Sequence, residues 1–509
     1  MSAGRLRTIG LGSLLLVGCA ATPAYRPTPL NGTPASSAVS PSATPRLRPR
    51  SATAPTAPAS TNVAAADDGR AFGPGVMGRP DHEGFDAVGT VATAITVAML
   101  VPLTFADDLE TRENTGDVLQ ILLPTLALTG TLVEGDREGS VQFTKSFLTS
   151  WATTYALKYS VEKWRPSGAN TQSFPSGHTM GAFAGASFIQ QRYGNRFGIP
   201  AYLAAVFTGV SRVDSQNHFM DDVVAGASIS MLSTWYWVTP ISDTTRIDPV
   251  MTEEGGVGIG ISVSNETAHT IRDHHHQDPD DFEKRFRFEW SFGAAYQSEN
   301  VVQSPRGTGD PIDLSEFKDT AETMTTSQLV FEYYPAPRHE FDFRFSPFEV
   351  RDTGTLAQPA SFAGSTFPAN QTLGSSYQYY DSRFWYRYDL LEHSRWTAKL
   401  GLALAIVDLN VAITDGTQTA EVGETVVLPA LHGHLGYWFT PRLRLFTETD
   451  VSSFEGDDLV DGTLMLRYDM SRQWDIGLGY RYVHREIDVD QLTNRLDQSR
   501  GLLSIGHSF

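Results

Sequence analysis

Hydrophobic and polar positions change their spacing partway along this 509-residue chain, and the change divides it. From about 80 to 242 the apolar residues come in long, Ala-rich blocks such as "VLQILLPTLALTGTLV", "FLTSWATTYAL", "MGAFAGASFI", "YLAAVFTGV" and "DVVAGASISMLSTWYWV". Blocks of this kind predict helices. One more, "FDAVGTVATAITVAMLVPLTFA" at 85–106, is about long enough to cross a bilayer, but most of the others are too short or carry polar residues. The expectation is therefore a helical bundle with a buried core rather than an inner-membrane bundle.

From 281 onward the period is two. In "RFRFEWSFGAAYQ", Phe286, Phe288, Trp290, Phe292 and Tyr296 share one face, while Arg287, Glu289, Ser291 and Gln297 share the other. The first face suits lipid or a core, the second water. The alternation recurs through "SQLVFEYY", "EFDFRFSPF", "RWTAKLGLALAIV" and "QWDIGLGYRYVHREI" to the last residue, and predicts about ten strands, with eight to twelve allowed because "GVGIGISVS" at 256–264 reads either as a strand or as linker. Short links ("PAPRH", "LLEHS", "TP", "SR") alternate with longer polar ones at 298–325, 351–374, 414–424 and 489–497, the brief "EGDD" being an exception. Tight turns on one side and long loops on the other suit a transmembrane barrel better than a soluble sandwich. The fold class expected is thus multidomain α + β, an all-α bundle followed by an antiparallel transmembrane β-barrel.

The N-terminus is an address. Arg5 and Arg7 precede the apolar run "IGLGSLLLVG" and then Cys19, the pattern of a secretory signal over 1–19. The "LVGC" ending there resembles the lipobox of bacterial lipoproteins, which implies lipidation at Cys19. As the chain has one cysteine, no disulfide forms within it. Residues 20–79 are rich in Pro, Ala, Ser and Thr and begin as a tether with almost nothing large to bury. The helical unit is then expected over 80–242, a linker over 243–280 and the barrel over 281–509. In that linker "RDHHHQDPDD" places His274, His275 and His276 side by side, where three adjacent rings do not converge easily on one ion, so no metal site is expected. The formal net charge of −19 argues against a nucleic-acid partner.

Against that acidity, "KYSVEKWRPSGANTQSFPSGHTMGAF" concentrates cations and backbone-exposing residues. Lys158 and Arg165 lie seven apart, so that on a helix both project from nearly one face, and Pro166 disfavours continuing that helix. "FPSGH" sets Ser176, Gly177 and His178 just ahead of a helical block, where free N–H groups cradle anions. In "SRVDSQNHFMDD", Arg212 closes an apolar helix and His218 precedes Asp222 by one turn. A carboxylate at that spacing accepts from one imidazole nitrogen and leaves the other free to attack. Asp221 is the competing partner at i+3, while Asp214 and Lys163 read as surface charge.

Taken in order, Lys158 with Arg165-Pro166, then Pro175-Ser176-Gly177-His178, then Ser211-Arg212 with His218 and Asp222, the three patterns resemble the signature of the type 2 phosphatidic acid phosphatase superfamily. That group also takes in class A bacterial acid phosphatases and vanadium haloperoxidases. The resemblance implies that Lys158, Arg165 and Arg212 bind phosphate oxygens, and that Ser176 and the Gly177 amide add hydrogen bonds. It further implies that His218 attacks phosphorus, oriented by Asp222, while His178 protonates the leaving oxygen. The eight-residue link from Pro166 to Pro175 is shorter than most of the family shows and leaves little chain for a substrate-capping loop.

Three fixed cations and backbone amides supply the charge neutralisation that phosphoryl transfer needs, so no cofactor is expected. The expectation is a metal-independent phosphatase of phosphomonoesters, lipid phosphates preferred to small soluble ones, held in a Gram-negative-type outer membrane with its catalytic unit facing the periplasm. The apolar helices would pack as a soluble core or dock at the inner leaflet. The alternatives are a channel or anchor barrel with a non-catalytic helical unit, and a vanadate-binding haloperoxidase.

Overall fold

In a computed structural model, residues 108–240, 246–251, 257–262, 286–317, 324–391, 395–454 and 456–509 are described. The signal, Cys19, the tether, the apolar run at 85–106 and His274 to His276 lie outside them.

Among the described residues five helices come first: α1 (Leu109–Val133), α2 (Arg137–Val161), α3 (Gly177–Tyr193), α4 (Asn195–Asp214) and α5 (Met220–Trp237). Their ends alternate up and down. Small residues let the axes approach: a Cβ at Gly185 would stand 2.3 Å from the Leu123 backbone, and one at Gly226 would stand 2.5 Å from the Ser176 carbonyl oxygen. At the end holding the α1 C-terminus, Arg192 donates to both carboxylate oxygens of Asp136 at 2.7 and 2.8 Å. At the other end gather the start of α1, the end of α2, the start of α3, the end of α4 and the start of α5, which is where all three sequence patterns fall.

Part of the expected linker is folded, since β1 (Arg246–Met251) and β2 (Val257–Ser262) pair antiparallel. Residues 257–262 of the "GVGIGISVS" segment thus form a strand, but outside the barrel. The barrel strands are β3 (Phe286–Gln303), β5 (Thr325–Ala336), β6 (His339–Thr355), β9 (Thr372–Asp389), β10 (Trp396–Thr414), β11 (Thr419–Thr440), β12 (Leu443–Phe454), β13 (Asp457–Asp469), β14 (Trp474–Asp488) and β15 (Thr493–Ser508). Each pairs antiparallel with the next, and β15 pairs with β3 from Thr493↔Gln303 to Ser508↔Arg287, closing ten strands into a barrel. Two long connections, 304–324 and 356–371, lie at one end; they carry the short strands β4 (Ile312–Asp313), β7 (Ala360–Phe362) and β8 (Ser365–Phe367). The loops expected at 414–424 and 489–497 are instead tight turns at 415–418 and 489–492, because the strand pairing continues to Thr414↔Thr419 and Asp488↔Thr493. Phe286 and Phe509, where the barrel begins and ends, lie at the opposite end.

Period-two alternation sends charged side chains inward, where they neutralise one another. Arg383 reaches Asp381 and Asp450 at 2.5 Å and Asp461 at 2.7 Å, and Asp461 also receives Arg344 and Arg481, each at 2.7 Å. Nearer the termini Arg287 meets Glu332, Glu289 and Asp475 at 2.5 to 2.8 Å. Toward the long loops the filling turns apolar, with Phe348, Leu409, Val411 and Ile413 buried against Phe317 and Phe362 of the loops themselves. The loops therefore fold into the mouth and the lumen is packed with side chains, as small barrels generally are.

The helical unit is neither a separate soluble core nor docked beneath the barrel. It stands beside the barrel wall, with α5 running along the outward face of β3, β5 and β6. Trp235 near its C-terminal end meets Phe288, His507 and Phe509 with ring centroids 5.1, 5.7 and 4.8 Å apart. Met220, Val223 and Val224 near its start pack on Phe345 and Tyr380.

Removing Arg383 would take one cation from three buried carboxylates, Asp381, Asp450 and Asp461. Arg383→Leu is expected to destabilise the barrel by about 3–5 kcal/mol, read as a lower temperature for loss of the folded-barrel mobility shift on electrophoresis. An unchanged transition would contradict the role given to this network.

Candidate active site

The cradle is made of helix ends joined by two short loops. Helix α2 stops at Val161 because Glu162 takes a left-handed backbone conformation (φ 51°), donating its N–H to the Lys158 carbonyl. Arg165 is therefore not on the helix face shared with Lys158, as the seven-residue spacing suggested. It lies in the loop beyond, where Nε donates to Asn170 Oδ1 at 3.1 Å and Nη1 to Asn217 Oδ1 at 3.4 Å. Lys158 itself is 6% exposed and donates to the Gln172 carbonyl at 2.7 Å.

Ser176 is the N-cap of α3 and accepts from the Thr179 N–H at 3.4 Å and the Thr179 hydroxyl at 2.9 Å, which leaves its own proton as a donor. Gly177 opens the helix beside Lys158, the Cε of which would stand 3.8 Å from a Cβ there. His178 follows, with Nε2 3.2 Å from Asp117 Oδ1 on α1. The same Asp117 oxygen takes Nη1 of buried Arg212 at 2.7 Å, while Nη2 donates to the Glu113 carbonyl at 2.6 Å. Asp117 and Glu113 were not singled out in the sequence. They lie about a hundred residues from Arg212, and no spacing rule links them.

His218 sits in the turn between α4 and α5, held by its N–H donating to the Arg212 carbonyl at 3.1 Å. The ring is 1% exposed, and neither ring nitrogen has a hydrogen-bond partner among the described residues. Nδ1 lies 3.6 Å from Asp222 Oδ2, a gap that a small ring movement closes. That leaves Nε2 as the uncommitted atom. Burial is the main influence on the imidazole, and with the charges of Lys158 and Arg165 it outweighs Asp222, so the pKa falls to about 4. His218 is neutral at physiological pH, the form with a free electron pair. His178 is within electrostatic reach of Arg212, His218 and Arg165, so the three sequence patterns meet at one place.

Asp222 is anchored on every side. Oδ2 accepts from the Ser173 hydroxyl at 2.5 Å and from the Phe219 N–H at 2.9 Å, and Oδ1 receives Lys163 Nζ at 3.0 Å. Lys163 is thus not surface charge: its side chain is 9% exposed and also meets Asp221 Oδ1 at 2.7 Å. Burial opposes its charge, but the two carboxylates more than offset that and raise its pKa. Asp221 accepts from the Thr325 hydroxyl of β5 at 2.5 Å, and it is Asp222 that lies next to His218. Asp214, also read as surface charge, is largely buried and paired with Arg112 at 2.8 Å. The barrel holds the cradle again through Arg351 of β6, which donates to the Pro166 carbonyl at 3.2 Å. Of the groups that support the site, Ser173 and Thr325 were missed and Lys163 was misread, since contacts across 49 to 104 residues leave no local signature. Among the described residues no group of three or more His, Cys, Asp or Glu is placed to hold a metal ion.

Residues 139–246 match the PAP2 superfamily, so the helical unit carries a PAP2 superfamily domain. The lipid A 1-phosphatase of Porphyromonas gingivalis is 40% identical over 99 residues, 18% of this chain and 22% of that protein. The lipid A 4'-phosphatase of Helicobacter pylori is 30% identical over 129 residues, 23% of this chain and 65% of that protein. The chain therefore spans less than two thirds of either relative. Among solved structures, Neisserial surface protein A aligns over 44% of this chain and 97% of its own with 12% identity and a TM-score of 0.22.

Lys163→Met would leave Asp221 and Asp222 buried without their cation. The variant is expected to lose about 3–5 kcal/mol of stability, with part of the loss recovered by adding Asp221→Asn. Thermal unfolding in detergent measures both, and a melting temperature equal to the parent's would show that the lysine is dispensable.

Proposed function

We propose, from the PAP2 superfamily domain beside the barrel, that this protein is an outer-membrane-anchored phosphatase that removes phosphate from lipid phosphomonoesters through a phosphohistidine. The observation that carries this reading is the meeting of a buried, neutral His218 with Lys158, Arg165, Arg212 and the α3 N-terminus at one end of the bundle. Arginine forks and a helix start are the donors that match phosphate oxygens. No metal ion is required by this mechanism.

The steps follow from the positions. His218 Nε2 attacks phosphorus in line with the ester oxygen, the P–O bond to the substrate breaks, and His178 supplies the proton that the leaving oxygen takes up. Asp222 holds the Nδ1 proton and stabilises the cationic ring as the N–P bond forms. Lys158, Arg165, Arg212, the Ser176 hydroxyl and the Gly177 amide carry the charge that spreads over the other oxygens. Water, deprotonated by His178, then attacks phosphorus, releasing inorganic phosphate and restoring both histidines. Lys163, through Asp222, positions rather than reacts.

A lipid substrate is favoured because the catalytic unit is fixed to a barrel wall, and because the two relatives named above are lipid A phosphatases. A phosphate carried on a saccharolipid is accordingly the preferred class, ahead of soluble esters.

Phosphate release from phosphatidic acid or lipid A in mixed micelles is expected to survive EDTA and to fall about a thousandfold or more in His218→Ala. Asp222→Asn should lower kcat about a hundredfold to ten-thousandfold. Loss of activity on chelation, or full activity without His218, would refute the mechanism. Because His218 stays neutral down to about pH 4, the acid limb of kcat/KM set by this residue should lie near that value rather than near 6.5, the ordinary histidine value. An acid limb centred near 6.5 would mean that the ring is not held in the buried, cation-flanked setting described.

A further inference from the structure

Helices α1, α2 and α4 leave apolar side chains outward that nothing among the described residues covers. Ile121 and Leu128 on α1, Leu148 and Trp151 on α2, and Leu203 and Val206 on α4 are between 37% and 65% exposed. Patches of this extent are unusual on a water-soluble surface. The five helices run 17 to 25 residues, roughly 26–38 Å at 1.5 Å per residue, which matches a hydrocarbon layer of about 30 Å. Over 18 of its 25 residues helix α1 is also apolar enough, by length and composition, to cross a membrane.

The barrel fixes where that layer lies. On the outward face of β14, Ile476, Leu478, Tyr480 and Tyr482 are followed by His484, Glu486 and Asp488, so the lipid-facing band ends at two tyrosines, as interfacial girdles do. On β3 the outward side chains run Phe288, Trp290, Phe292, Ala294 and the exposed Tyr296, so the band ends at a tyrosine there too, and Ala294 is partnered by Thr325 of the neighbouring β5. Thr325 is the residue that donates to Asp221 at the start of α5. The phosphate cradle therefore stands where the band meets water. The other end of α5 packs on Phe288 and Phe509, at the end of the barrel where its chain begins and ends. Bundle and barrel thus span the same slab, and their apolar outer faces are continuous.

The cradle shares its end with the two long connections, 304–324 and 356–371, and lies opposite the barrel termini. Barrels of the outer membrane carry their longer loops outside and their short turns in the periplasm. We infer that the helical unit is embedded in the outer membrane beside the barrel, with hydrocarbon covering its apolar faces, and that its site opens outward to take phosphorylated lipids from the outer leaflet. This rests on the phosphatase reading for the identity of the substrate, and it replaces the expected periplasm-facing orientation. The acyl chains of such a lipid stay in the bilayer while its phosphate reaches the helix ends.

Single cysteines read the placement directly in the full-length protein expressed in Gram-negative cells, with the parent chain, in which the one cysteine is Cys19, setting the background. Exposed Ala169 and Asn114 lie at the cradle end, exposed Arg137 lies at the other end, and Leu148 lies on the apolar face between them. With a membrane-impermeant maleimide, Ala169→Cys and Asn114→Cys are expected to label as fully in intact cells as after permeabilisation of the outer membrane. Arg137→Cys should label only after permeabilisation, and Leu148→Cys in neither condition. Cradle-end cysteines that react only after permeabilisation, or a reactive Leu148→Cys, overturn the inference. Phosphate release by the same variants in detergent is scored separately, so an active enzyme labelled from the wrong side sinks the placement and leaves the phosphatase standing. Labelling as expected in a protein that releases no phosphate does the reverse.

Discussion

One buried ammonium ties this molecule together. Lys163 lies between Asp221 and Asp222 with almost no contact with water. Two adjacent carboxylates in that position would repel each other and lose hydration worth several kcal/mol each. The lysine makes their burial tolerable, and each carboxylate then does separate work. Asp222 is fixed next to the histidine by Ser173 and the Phe219 amide, while Asp221 is free to bind Thr325 on the barrel wall. The geometry around His218 and domain docking thus share one charge balance.

The same principle operates inside the barrel on a larger scale. Alternation forces every second side chain of ten strands into a narrow lumen, and in this sequence many of those are arginines and acids. They are retained as a cross-braced network around Asp461, Asp381 and Arg383 rather than as a water-filled path. A filled barrel is a rigid wall. A rigid wall is a suitable support for α5, the helix that begins just after His218 and carries both acids.

Much of this was legible in the chain. The switch from helical blocks to alternation located both units, and the strand count followed from alternation because inward and outward positions must differ in chemistry at every step. The residues that bring chemistry to the cradle were legible too, since they sit at helix ends at fixed short spacings. Arg165 was located correctly but on the wrong element: seven residues suggested a shared helix face, whereas Glu162 ends the helix and a loop delivers the guanidinium. Turn lengths at 415–418 and 489–492 were overestimated because polar residues in that part of the barrel still pair in strands.

The sequence by itself therefore determined the two architectures and the places of Lys158, Ser176 and Arg212 at helix ends, because both depend on local periodicity and on contacts within a few residues. Only the tertiary structure decided that Lys163 is buried, that Asp117 joins His178 to Arg212, and that α5 lies against β3, β5 and β6. Those facts depend on which apolar face finds which, and on charges that meet across 49 to 104 residues. A surface that lipid covers and a surface that another domain covers carry the same apolar residues, so no pattern along the chain distinguishes Phe288 from Leu503. Packing does.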